Sequence, residues 1–272
     1  MLYLVLAIFS SAMVSIAMRF SEAKIQSSMG LLASNYLVCS VTAFIYCRTF
    51  AFTAPLMGFS AVNGLLYLAG FILMQFNIQK NGVVLSSTFM KLGVLVPVLA
   101  SMIFFKEMPT ALQMLGLCLA VSSIVLLKKR QSSQNLMMGP LLLMMICGGM
   151  TDFTSKIFEA LFETGYKDMF LLMTFLSALF FCLGLVVVRK ELISRNELVY
   201  GLLVGIPNYF SARFLLLALG SVDAVVAYPT YSVATILVVT MLGKILFHEH
   251  LSKRQLTVMA LILVSLILLN IA

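Results

Sequence analysis

Apolar stretches of about 20 residues follow one another along this 272-residue chain with almost nothing between them. A helix rising 1.5 Å per residue needs about that length to cross the ~30 Å hydrocarbon core of a bilayer. The stretches fall near 1–18, 29–47, 57–78, 83–105, 110–127, 137–156, 167–188, 198–218, 224–247 and 253–271. They predict an all-α membrane protein of ten transmembrane helices. The breaks between them are short and polar, charged or Gly/Pro-bearing, as in Arg48 to Pro55, Lys128 to Asn135 and Arg189 to Asn196. Short breaks make neighbouring helices antiparallel and leave no residues for a soluble domain. Only 10% of the residues are charged, against about 25% in an ordinary soluble domain. So few charges cannot cover a water-facing surface, and any activity must sit within the bilayer or at its faces.

The net charge is +8, but its distribution speaks of topology rather than nucleic acid. The odd-numbered breaks and their flanks hold Arg19, Lys24, Lys80, Lys128, Lys129, Arg130, Arg189, Lys190, Arg195, Lys253 and Arg254. The even-numbered ones hold little beyond Arg48, Lys106 and Lys167. Basic residues stay on the cytoplasmic side. The odd loops are therefore expected in the cytoplasm and both ends outside, in a multi-pass protein of the cell membrane, inner or plasma. The same loops suit anionic lipid headgroups, and no separate basic module exists to grip a nucleic acid. Arg19 follows the first apolar run instead of preceding it, which predicts a retained helix and not a cleaved signal peptide. The five cysteines form no CxxC pair, and the two histidines, His248 and His250, flank Glu249 in one loop. Neither pattern predicts a metal site or a cofactor.

The chain also resembles itself. Residues 83–127 match 225–269 without a shift in register: Val83-Val84 with Val225-Val226, Thr88 with Thr230, Glu107 with Glu249, Gln113 with Gln255, Ser123 with Ser265. Met13, Arg19 and Glu22 match Met150, Lys156 and Glu159. Two halves, 1–131 and 132–272, follow, with five spans each. Repeats with an odd number of spans insert in opposite orientations. Such inverted repeats place a binding site at their interface near the membrane midplane.

These features resemble the drug/metabolite transporter superfamily, in its EamA-like branch. The residues that carry the likeness are Phe104-Phe105-Lys106-Glu107 followed by Gln113-Met114-Leu115-Gly116, and Leu246-Phe247-His248-Glu249 followed by Gln255. The second copy departs from the first, with Leu256-Thr257-Val258 in place of Met114-Leu115-Gly116. The resemblance implies a carrier of small metabolites, amino acids or drugs. It also implies a central cavity lined by the first, third and fourth helices of each half. In this chain those begin near Met1, Met57, Val83, Met137, Leu198 and Ala224. Glu107 and Glu249 are expected to cap helix ends.

An ionisable side chain at membrane depth is costly and points to function by default. Lys91 lies about 12 Å into the fourth span. It is expected to face the cavity, either as a counter-charge for an anionic substrate group or as a proton-coupling site. Asp152 and Arg213 each lie about 22 Å into spans that start on the same face. They are expected at similar depth, where they could pair across the cavity or bind a zwitterion. Asn63 and Tyr67 in the third span, Asn208 and Tyr209 in the eighth, and Tyr228 and Tyr231 in the ninth complete the candidate set. Pro97, Pro207 and Pro229 are expected to interrupt their helices and free carbonyls towards the cavity.

The expected function is a secondary carrier of a small metabolite, an amino acid or similar zwitterionic solute, working by alternating access. Its partners would be that solute, the lipid bilayer, and a proton or counter-substrate, and a monomer is compatible with this. No Walker-type Gly-rich Lys motif is present to use ATP. An enzyme would need a clustered acid/base or metal constellation inside the spans, and none is visible. The alternatives are an exporter of drugs, amines or nucleotide-type solutes, or a channel or receptor without carrier activity.

Overall fold

The computed structural model describes residues 2–50, 52–96, 110–128, 137–222, 224–248 and 252–268. Among them are ten α-helices and no strand. We number them α1 (Leu2–Ser21), α2 (Ser28–Tyr46), α3 (Ala54–Asn81), α4 (Val83–Leu92), α5 (Ala111–Lys128), α6 (Met138–Leu161), α7 (Lys167–Arg189), α8 (Arg195–Leu219), α9 (Ala224–Phe247) and α10 (Lys253–Leu268). Seven of them, α1 to α3 and α6 to α9, are long and apolar enough to cross a membrane. The apolar stretches described in α4 and α10 are shorter. The chain is thus all-helical and fits a multi-pass membrane protein.

The helix ends follow local chemistry. Ser27 caps α2 by accepting the Gly30 N–H at 2.7 Å. Pro55 sits in the first turn of α3, where a missing N–H costs nothing. Gly82, at φ 81°, makes the one-residue corner between α3 and α4, a conformation only glycine enters freely. Ser194 and Glu197 form a capping box on α8. Glu197 is fully buried and also accepts the backbone N–H groups of Gln26 and Ser27, at 2.7 and 3.0 Å. One carboxylate therefore ties the start of α8 to the start of α2.

Three expectations are corrected here. First, α6 runs to Leu161, about a turn beyond the expected end. Second, Pro207 lies inside an unbroken α8 and Pro229 inside an unbroken α9. Third, the fourth span is interrupted at Gly93. There the bonds shorten to three-residue spacing, with the Gly93 N–H to Met90 O at 3.2 Å and the Val96 N–H to Gly93 O at 2.9 Å. Pro97, four residues on, has no N–H to offer the Gly93 carbonyl, which explains why the break falls there. Pro97 itself, with Glu107, Glu249 and His250, lies outside the described residues.

The helices pack as reciprocal partners. α1 packs on α8, and α3 on α6; α2 packs on α8, and α3 on α7; α1 packs on α9, and α4 on α6. α2 meets α7, α4 meets α9, and α5 meets α10. The last pair is joined by the Ser265 hydroxyl, which donates to Gly116 O at 2.7 Å. Small residues set the closest approaches, as expected where lipid supplies no hydrophobic drive between helices. A Cβ added to Gly64 of α3 would lie 2.5 Å from Thr174 O of α7. One added to Gly205 of α8 would lie 2.8 Å from Asn35 O of α2. Gly201, one turn earlier on α8, is tighter still, 2.2 Å from the Ser34 Cβ.

Candidate functional site

Six helices, α1, α3, α4, α6, α8 and α9, enclose a cavity of about 100 Å³. These are the helices that the family resemblance implies as its lining. Its lining includes Ser87 and Lys91 of α4, one turn apart, and Asp152 of α6. It also includes Ser11 and Ser15 of α1, Asn208 and Ser211 of α8, and Tyr231 of α9. Tyr67 and Phe71 of α3 line the cavity as well.

Lys91 is the penultimate residue of α4, just before the break at Gly93. Its wall is held by glycine: a Cβ on Gly149 of α6 would lie 2.2 Å from Gly93 O. That close crossing brings α4 beside the turn of α6 that carries Asp152. The Lys91 ammonium lies 3.8 Å from the centre of the Tyr231 ring, a cation–π geometry. The ring is fixed at its far end by a 2.9 Å hydrogen bond between the Tyr231 and Ser211 hydroxyls. Lys91 and Asp152 are close enough for their charges to interact. Among the described residues, however, no ion pair within 4.0 Å joins them. Two opposite charges thus face one small volume without touching.

Asn208 is held in place from behind. Its amide donates to Asn35 Oδ1 of α2 at 3.1 Å and lies 3.5 Å from the Cys39 sulfur. Tyr67 packs edge-on against Phe175 of α7, ring centres 5.6 Å apart.

Of the nine residues singled out in the sequence, the cavity gathers Lys91, Asp152, Tyr67, Asn208 and Tyr231. The other four do not line it. Asn63 faces α7, its amide 3.4 Å from the Thr174 hydroxyl. Tyr228 is buried among the helices. Tyr209 and Arg213 belong to a second cluster, where the Arg213 guanidinium contacts Asp168 at 2.8 Å and the Tyr209 hydroxyl at 2.6 Å. It lies over the Tyr46 ring, 4.4 Å from its centre.

Of the arrangements open to Asp152 and Arg213, pairing with each other is not the one formed, and their expected equal depth is corrected. α8 begins at Arg195, earlier than its hydropathy indicates, so Arg213 stands about 6 Å further along its helix than Asp152 along α6. Asp168, in the first turn of α7, takes the arginine instead. Its sequence position at a loop boundary beside Lys167 gave no signal of this. Ser11, Ser15, Ser87 and Ser211 were also unforeseen. Serine is too common in membrane helices to stand out, although Ser15 is the repeat counterpart of Asp152 when Met13 is set against Met150.

No protein-family model matches the chain, and no curated protein matches it. Among solved structures, a chain described only as "Crystal structure of protein" is similar to it with a TM-score of 0.68 at 13% identity. The likeness covers 99% of this chain and 96% of that one. At that identity it shows the fold alone.

Proposed function

We propose that this chain is a secondary carrier of the drug/metabolite transporter type, moving a small polar metabolite through the six-helix cavity by alternating access. The observation that carries this is the cavity's lining, which takes matching positions from α1 and α6 and from α3 and α8. Ser11, Val14 and Ser15 on α1 correspond to Gly148, Thr151 and Asp152 on α6 in the register set by Met13 and Met150. Tyr67, Gly70, Phe71 and Met74 on α3 have the spacing of Asn208, Ser211, Ala212 and Leu215 on α8. The reciprocal packing of α1 on α8 and α3 on α6 supports the same two-fold relation. Two five-helix repeats of opposite orientation account for both, with all ten helices crossing the membrane. The site then lies at their interface, where rocking one set of helices against the other exposes it to each side in turn. The odd loops face the cytoplasm, as their basic residues require. Lys91 supplies the charge that recognises the cargo, and a gradient of solute, counter-solute or protons supplies the energy.

The test is uptake by purified protein in liposomes, with solutes first chosen by thermal stabilisation of the protein. A carrier gives saturable uptake and counterflow of labelled solute. Linear flux without counterflow would replace it with a pore. Lys91→Met keeps side-chain length and removes the charge. It is expected to abolish uptake while leaving the melting temperature within a few degrees of the parent's, about the shift of a ~1 kcal/mol change.

A further inference from the structure

We propose that Ser87, Lys91 and Asp152 form a dipolar recognition site for a small zwitterion. Its anionic group is held by Ser87 and Lys91 on α4, and its cationic group by Asp152 on α6. This rests on the carrier reading for its physiological use, but the chemistry is that of the cavity itself.

Both charges face the same volume, and among the described residues neither has an ion-pair partner at contact distance. The Tyr231 ring covers one side of the Lys91 ammonium. A ring face accepts no conventional hydrogen bond, so the donors of Lys91 remain to be used. One turn earlier on the same face, Ser87 is 2% exposed, and its hydroxyl has no hydrogen-bond partner among the described residues. A buried hydroxyl without a partner is costly, and a bound oxygen would satisfy it. An ammonium and a hydroxyl one turn apart make a pair of donors for a carboxylate. Asp152, an acceptor only, matches an ammonium.

Charge balance selects the class. In a medium of low dielectric, a solute with one charge satisfies one wall residue and leaves the other opposed by nothing new. A zwitterion meets both at once and leaves the cavity neutral. Size narrows the class further. A cavity of about 150 Å³ is enough for benzene, so one of about 100 Å³ takes a solute of that size or smaller. That suits alanine or serine and is too small for an aromatic amino acid. The hydroxyl and amide wall of Ser11, Ser15 and Asn208 can meet a short polar side chain.

The experiment is a thermal-stabilisation titration of the full chain in detergent. The probes are alanine, serine, lactate (carboxylate only), ethanolamine (ammonium only) and tryptophan (oversized). Alanine or serine is expected to stabilise at concentrations at least about tenfold below those needed of lactate or ethanolamine, as befits two charge-assisted contacts against one. Tryptophan is expected to be weaker than both. Ser87→Ala should weaken alanine and lactate alike, several-fold, and leave ethanolamine unchanged. Asp152→Asn should erase the advantage of alanine over lactate. One-charge solutes within about twofold of alanine would overturn the proposal, as would an absence of stabilisation by either zwitterion. Should a variant fail to fold, the ligand panel on the parent chain decides alone. Binding of alanine without counterflow in liposomes would sink the carrier and leave the dipolar site standing. Counterflow of lactate or ethanolamine with no preference for zwitterions would do the reverse.

Discussion

Arg213 of α8 meets Asp168 of α7 at 2.8 Å while Asp152 remains in the cavity with Lys91. The two acidic residues thereby have different work. Asp168 fastens the ends of two helices, and the same guanidinium takes in Tyr209 and Tyr46. Removing one partner of a fully buried ion pair costs about 3–5 kcal/mol. Here the side chains are 17% and 30% exposed, so water screens the charge left behind. Asp168→Asn is therefore expected to cost less, about 1–3 kcal/mol. Arg213→Gln combined with it should recover part of the loss, because neither charge is then left alone. Denaturant melts in micelles of the two single variants and the double variant measure the coupling. Strictly additive losses would mean that the pair contributes nothing as a pair.

The contact between α2 and α8 depends on a side chain being absent. At Gly201 an added methyl group would lie 2.2 Å from the Ser34 Cβ, closer than any packed pair of carbons. Gly201→Ala must push α8 off α2 and is expected to cost about 1–3 kcal/mol. Gly184 of α7 has nothing within 4 Å of the same position. Gly184→Ala is thus expected to be neutral or to stabilise by up to about 1 kcal/mol through helix propensity. Melting temperatures of the two variants, which carry the same chemical change, should move in opposite directions or differ clearly.

Hydropathy placed a helix at each expected position because every backbone polar group in lipid must be bonded within its own segment. Helix depth was less legible. It depends on where capping residues start the helix, and Ser194 with Glu197 begins α8 before its apolar run does. With that offset Arg213 stands beside Asp168 of α7 and not beside Asp152. Lys91 was legible because a buried ammonium has few places to go. Ser87 was not, since its importance lies in what it faces. The proline rule failed at Pro207, whose helix runs on. In α4 the break falls at Gly93, four residues before Pro97, and the Gly93 carbonyl takes the Val96 N–H in place of the one a proline lacks.

The number of crossings has a simple consequence in parity. Among the described residues seven helices meet the length and hydropathy needed to span, and seven crossings would put the two ends of this chain on opposite faces. Ten crossings put them on the same face. The described part of α4 is ten residues long, about 15 Å and so half a hydrocarbon core. It completes a crossing only if the apolar sequence beyond Gly93, which continues to Phe105, carries it on. Reporters active only outside the cell, fused before Met1 and after Ala272, test this directly. Both are expected to be active, and one fused after Lys190 is expected to be silent, since the odd loops carry the basic residues. Activity at one end alone would make the count odd and remove the inverted repeat. The matching walls of the cavity would then need another cause.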